Sequence, residues 1–464
     1  MSHPDPADDA AGSTHPDAAR DPAPVPGGDP PGSHDVSDPS THVVPPCYIA
    51  SEVPPVGGVI KQRPEDFFVE EIPLYAPSGE GEHAYIFVEK RGLSTFELLN
   101  LLARHFDVPK VALGYAGLKD KAAVTRQVVS IHLPGRDISE FPELRHDRVT
   151  VLWADRHINK LRTGHLAGNR FSIRIRGVPP TAVLFARRVL QKLAVTGVPN
   201  RFGEQRFGHL DNNHLIGRAM LLGDFETALT LLLGPSPDHP TAQPAAREAF
   251  AEKRYADALH LMPRHLAAES AALRQLARGR APRRAFFGID EQARRFFLTA
   301  FQSAVFNAVL DQRLLAGTCS SLLPGDLAFK HDNRAVFAVD DDTARSADTA
   351  DRLGRFEISP SGPMWAAGMT RAAGPVDAME VQALERLGVR VQDLHTFDER
   401  YGELLDGSRR PLRIPLIDPD TEGGADEHGP YVRVTFELPR GSFATVVLRE
   451  IMKPATGSVL GPEE

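Results

Sequence analysis

Two stretches of strict alternation lie far apart in this chain and enclose a long region of different period. Phe171-Ser172-Ile173-Arg174-Ile175-Arg176 and Tyr431-Val432-Arg433-Val434-Thr435-Phe436-Glu437-Leu438 place apolar side chains at every second position. That spacing belongs to strands with one buried face. From about residue 210 to 412 the chain is instead rich in Ala, Leu and Arg, with helical periodicity that includes a long helix from Asp290 to Leu315 closed by Gly317. A half-buried strand needs neighbours, so the later alternation must rejoin the earlier. The order predicts an α+β protein in which a β-rich domain is interrupted by a mainly helical insertion.

Local signals fill in the first half. His83 to Val88 and Val128 to Leu133 read as strands, the second half-buried. Ser94-Thr95-Phe96-Glu97 has capping-box spacing ahead of a helix carrying Leu98, Leu99, Leu102 and Phe106. A second helix from Thr181 buries Phe185, Val189 and Leu193 and stops at Gly197. The Pro- and Asp-rich stretches Gly234 to Pro244 and Pro415 to Pro430 read as loops.

Charge is unevenly distributed. The first 46 residues hold eight Asp and one Arg, so most of the net charge of −8 sits there and the rest of the chain is close to neutral. This tail has no aromatic residue, and its composition predicts disorder. Arg156 to Arg206, by contrast, contains eleven Lys or Arg against the single acid Glu204. Such a block is the footprint of a polyanion-binding surface, with Lys160, Arg162, Arg170, Arg174, Arg176 and Arg206 as candidates for nucleic-acid backbone contacts. Two cysteines, Cys47 and Cys319, cannot build a disulfide framework or a cysteine-rich zinc site, which fits a reducing compartment. His165, His209 and His214 lack the spacing of a zinc site, and no metal is expected. No run reaches a membrane-spanning length and the N-terminus lacks a secretory pattern, so the expected location is cytoplasmic.

Gly114 to Gln127 holds the sharpest chemical signal. Within it, Gly117-Leu118-Lys119-Asp120-Lys121 puts one carboxylate between two lysines on a loop before a strand. Flanking ammonium groups suit a nucleophile or an electrostatic stabiliser better than a proton donor. Alone, the pattern also describes a polar turn.

Four separated segments in this order resemble the TruD family of tRNA pseudouridine synthases. They are Ile60-Lys61 with Pro64-Glu65-Asp66-Phe67 and Glu71; Gly117 to Gln127; Asn200 to Gly208; and Leu438 to Ile451. Lys160-Leu161-Arg162 and Leu166-Ala167-Gly168-Asn169 support the match. The resemblance implies a pseudouridine-synthase-type, largely antiparallel mixed sheet at residues 47–209 and 413–455. It implies a family-specific insertion at 210–412, with tails at 1–46 and 456–464. It implies a cofactor-free enzyme acting on tRNA as a monomer, with uridine 13 as the target and Asp120 as the catalytic carboxylate.

The chemistry of the residues is compatible. Exchanging an N-glycosidic for a C-glycosidic bond needs one carboxylate, which either attacks the sugar or helps remove a ribose proton; both routes are open. The base must be extruded and held, and Phe202 and Phe443 are the candidate platforms. Asn200 reaches the base edge or braces its loop. Lys119 and Arg126 are candidate electrostatic partners of Asp120, and Lys61 with Glu71 a candidate supporting ion pair. Two other classes stay in view, an RNA-binding protein without chemistry and a glycosidic-bond hydrolase.

Overall fold

A computed structural model describes residues 47–402 and 404–454. The tails expected at 1–46 and 456–464 lie outside the described residues. The first segment supplies β1 (Phe67–Pro73), β2 (His83–Arg91), β3 (Leu113–Tyr115), β4 (Val124–His132), β5 (Val149–His157), β6 (Leu166–Arg176) and the short β7 (Val198–Pro199). The insertion adds β8 (Leu327–Lys330), β9 (Val336–Ala338), β10 (Ile358–Met364) and β11 (Ser408–Pro411). The chain then returns through β12 (Arg413–Ile414), β13 (Ile417–Asp426) and β14 (Gly429–Pro439).

The two alternating stretches pair with each other. β14 lies antiparallel to β6, with Val434 opposite Ile173 and Phe436 opposite Phe171. The main sheet runs β13-β14-β6-β1-β4-β2-β5, with β3 beside β4. Only β1 with β4 is parallel among its pairs. The fold is therefore α+β with a largely antiparallel sheet.

Register fixes which side chains share a face. Val69 is opposite Thr125, and alternation carries that face on to Val129 and Ile131. On it, helices Val183–Thr196 and Ala444–Met452 cover Val69, Ile173 and Val434. Farther along, helix Thr95–His105 covers Ile86, Val88 and Val129. The capping box is present, since Ser94 Oγ accepts from the Glu97 amide and the Glu97 carboxylate from the Ser94 amide. β4 departs from the half-buried expectation because it is central. Val128, on the other face, is covered by Tyr85, Leu161 and Leu166.

Residues 415 to 430 also depart from expectation. They form an edge strand, β13, bonded to β14 along its length. An edge tolerates prolines and charges that a central strand would not.

The face opposite the helices corrects the basic-surface reading. Arg126 is held between Glu89 at 2.8 Å and Glu70 at 2.9 Å, Arg170 lies 2.6 Å from Glu437, and Arg433 pairs with Glu422. Acids remote in sequence come into register with the arginines, so the face is a lattice of alternating charge. Arg174 stacks its guanidinium over Tyr431. Arg176 is 2% exposed and bonds both oxygens of Asp66 and of Asp426 at 2.7–2.9 Å. It is closed to RNA and works as a clamp between the β1 entry and the β13–β14 turn.

The insertion packs around helix Glu291–Leu315, which Asp290 caps and after which Gly317 turns with φ 68°. Phe297, Phe301 and Val305 enter its core. A sheet in the order β11-β10-β8-β9 lies beside the helices. Entry and exit are stitched by β7 and β12, where Val198 pairs with Ile414. Among the described residues no helix is long and apolar enough to cross a membrane.

Removing Arg176 would strand Asp66 as a buried, uncompensated charge. Arg176→Met is expected to destabilise by about 3–5 kcal/mol, read as a fall in the urea midpoint. A second expectation concerns pH. Burial holds His214 down to about 4, and its Nδ1 has no hydrogen-bond partner. The unfolded imidazole binds a proton near pH 6.5 while the folded one does not, so stability falls as pH drops from about 6.5 towards 4. His214→Phe, which keeps the ring contact with Phe207, should flatten the melting-temperature profile across that window.

Candidate active site

The two apolar clusters on the helix-covered face do not meet. Between them runs a seam of polar residues, Lys90, Thr95, Gln127, Glu71 and Lys119, all buried. The loop between β3 and β4 closes the seam's end. It is fastened at successive points: Lys119 N–H donates to Thr95 Oγ1 at 2.9 Å, and Thr95 Oγ1 donates to Gln127 Oε1 at 3.2 Å. Lys90, on the buried face of β2, donates its ammonium to the carbonyls of Leu93 at 2.5 Å, Asp120 at 3.0 Å and Lys119 at 3.4 Å. With its backbone so held, the loop offers the Asp120 carboxylate outward, 46% exposed.

Lysine pairing differs from the sequence expectation. Lys119 turns inward onto Glu71 at 2.7 Å, both side chains almost fully buried, and Glu71 also accepts from the Val128 amide. Lys61, expected on Glu71, instead reaches Asp120 at 2.9 Å. The reason is position. Residue 119 precedes the outward turn and lies over β1, whereas Lys61 approaches from outside with its ammonium over the Phe67 ring at 4.8 Å. Lys61 also has φ 56°, a strained backbone for a non-glycine residue. Arg126 projects from the opposite face onto Glu70 and Glu89 and makes no contact with Asp120.

A series of bonds ties loops of both chain segments to the Asp120 loop. Gly168 lets β6 approach β14, since a Cβ there would lie 2.3 Å from the Leu438 carbonyl. Just beyond, Arg440 donates from its backbone to Ala167 O and from its side chain to Gly164 O, and Gly164 N–H donates to Ala116 O in the Asp120 loop. Gly441, at φ 77°, turns the chain so that Phe443 enters helix Ala444–Met452 with 49% of its surface exposed. The Phe202 loop abuts the same helix through Glu204 and Arg449 at 3.2 Å. Phe202 is bracketed by Asn307, whose Oδ1 accepts from its amide and whose Nδ2 donates to its carbonyl, each at 3.0 Å.

Asn200 is a brace. Its amide group donates to Pro411 O at 2.9 Å and its Oδ1 accepts from Arg410. Of the remaining candidates, Lys160 donates to the Val111 carbonyl and Arg162 is exposed. Arg170, Arg174 and Arg176 lie across the sheet from Asp120. Arg206 stands beside Phe202. His165 bonds Tyr75 Oη at 2.9 Å.

Lys90, Thr95, Asn307 and Arg410 were not singled out by the sequence. Lys90 had a signal, a charge on the apolar face of an alternating strand after Ile86 and Val88. Asn307 and Arg410 act across more than a hundred residues, and no local pattern marks them.

The seam makes separable demands. Glu71→Gln leaves Lys119 buried without a counter-charge and should lower stability by about 3 kcal/mol or more. Lys61→Met leaves Asp120, 46% exposed, able to hydrate and should leave the melting temperature within a few degrees of wild type. Thermal melts of both variants check this contrast.

Comparison with known proteins accords with this geometry. The family model described as tRNA pseudouridine synthase D (TruD) matches residues 45–451. A tRNA pseudouridine synthase D of Geobacter sulfurreducens is 45% identical over 89% of this chain and 98% of its own length. The protein of the same name from Syntrophotalea carbinolica is 41% identical over 88% and 98%. The crystal structure of a TruD protein from Methanosarcina mazei matches with a TM-score of 0.77 at 28% identity, covering 88% of this chain and 96% of that one. The sheet rejoined across its insertion is thus a shared architecture, and this chain belongs to the TruD family of tRNA pseudouridine synthases.

Proposed function

We propose that this protein converts uridine 13 of tRNA to pseudouridine, with Asp120 as the reacting carboxylate. One observation carries the reading. A loop whose backbone is tied down at residues 119 and 120 holds a single carboxylate outward, beside an ammonium at 2.9 Å. Such fixing reduces the reorganisation required when the group reacts.

The steps follow from what has to move. The uridine leaves its stack and is held against Phe443 and Phe202, whose rings tolerate any base face, while shape and backbone contacts choose the tRNA. Asp120 then attacks the sugar carbon or assists removal of a ribose proton as the N-glycosidic bond breaks. The freed base turns while held and a ring carbon bonds the sugar, displacing the Asp120 carboxylate in the first route or accompanied by return of the ribose proton in the second, and the ring carbon's proton is lost as the ring nitrogen gains one. Lys61 orients the carboxylate and balances charge during bond breaking. Atoms and electrons balance within the nucleotide, so the reaction itself consumes no redox equivalent and no nucleotide triphosphate. A cytoplasmic monomer is the matching cellular form.

Asp120→Asn should lower turnover by at least about a thousandfold, roughly 4 kcal/mol of barrier, while the melting temperature and tRNA affinity hold. Purified enzyme should convert a tRNA transcript in chelator with no change in RNA mass, and uridine 13→cytidine should abolish conversion. An abasic product would favour the hydrolase reading. Retention of more than a tenth of wild-type turnover by the Asn variant would remove Asp120 from the chemistry.

A further inference from the structure

Most arginines near the insertion's base are neutralised by the fold. Arg201 pairs with Asp311, Arg313 with Asp326 and Arg409 with Glu380. Two are not. Arg410 lies 4.2 Å over the Phe202 ring and donates only to Asn200 oxygens. Arg206 lies 5.8 Å from the same ring and 4.9 Å from Phe296, and its Nε donates to Ser303 Oγ at 3.3 Å. Neither has a carboxylate partner among the described residues. Burial lowers the pKa of both, Arg410 to about 10, and the charges of Arg206 and Arg334 add to the effect at Arg410. Arg334 stands exposed on the turn between β8 and β9 with φ 64°.

Two cations from separate segments therefore flank one half-buried aromatic ring, with no carboxylate partner for either among the described residues. Desolvating guanidinium groups without a counter-charge is costly, and the cost is recovered when a ligand brings the charge. Their remaining N–H groups form the donor set that fits phosphate oxygens.

We infer that Arg206 and Arg410 grip a phosphodiester adjoining the extruded nucleotide. Phe202 holds the base and the arginines beside it hold that nucleotide's own backbone, so stacking and phosphate capture fix one nucleotide at two points. This assignment rests on the proposed tRNA reaction and deepens it. It also moves backbone recognition from Arg170, Arg174 and Arg176 to the junction with the insertion.

The test is a cycle between enzyme and substrate. Wild type, Arg206→Met and Arg410→Met are assayed on a tRNA transcript carrying one uncharged methylphosphonate, placed 5′ or 3′ of the target uridine. With wild type, one of the two placements should lower kcat/KM about ten- to hundredfold, the range of a hydrogen bond to a charged group. With either variant the same placement should cost several-fold less than with wild type, because one of the two guanidinium contacts is already gone. The log–log salt slope of tRNA binding should also flatten by roughly 0.7–0.9 for each arginine removed. Arg410→Lys, which keeps charge, should recover part of the binding loss. If Arg410→Met fails to fold, the Arg206 arm and the wild-type methylphosphonate scan decide alone. Losses that multiply independently at both placements, or wild-type tolerance of both, would overturn the inference. Inability of wild type to convert the unmodified transcript would instead sink the tRNA reaction itself.

Discussion

The pairing of β6 with β14 is the interaction on which the remainder depends. It joins residues 168–176 to residues 431–439 and so closes the sheet around an insertion. Without it, helix Ala444–Met452 would have no apolar face to cover, and Gly441 to Phe443 would have no fixed place relative to the Asp120 loop. Gly168 permits the approach, and Arg440 ties the end of β14 to the segment that itself bonds the Asp120 loop. Long-range β pairing thus becomes local chemistry through a short series of backbone bonds.

Buried charge supplies the precision. Ammonium and guanidinium groups inside a protein must be matched, and each match fixes geometry as well as energy. Lys119 on Glu71 sets the inward side of the candidate loop, and Lys90 on successive carbonyls sets its backbone. Apolar packing of the two flanking clusters could not do this, because it is indifferent to the orientation of a peptide carbonyl. A polar seam between two apolar clusters costs stability and gives back orientation at the one place where orientation matters.

Much of this was legible in the sequence where a signal is local. Alternation in 171–176 and 431–438, the capping box at Ser94 and the caps around Glu291–Leu315 depend on neighbours within a few residues, and they appear as expected. What failed depends on partners that only folding brings near. The arginines of β6 alternate as expected, yet the charges of Arg170 and Arg176 are cancelled by acids at 66, 70, 426 and 437, and Arg174 stacks on Tyr431. The segment of β13 reads as a loop because Pro419 and its acids are those of a loop; hydrogen bonding to β14 makes it a strand. The exchange of lysine partners was equally invisible. Lys119 adjoins Asp120 in sequence and Lys61 adjoins no acid, and only the direction in which the loop turns decides which ammonium meets which carboxylate.

Phe202 belongs to two bodies at once. Asn307, on the long helix of the insertion, holds its backbone from one side, while β7 and β12 form a two-residue neck leading back to the sheet that carries Asp120. A narrow neck is where a rotation between layers would be absorbed. Any such rotation carries the aromatic ring along with the helix and leaves the carboxylate behind. The aperture between them is then a single mechanical coordinate, and a nucleotide touching both sides would be a crossbar that locks it.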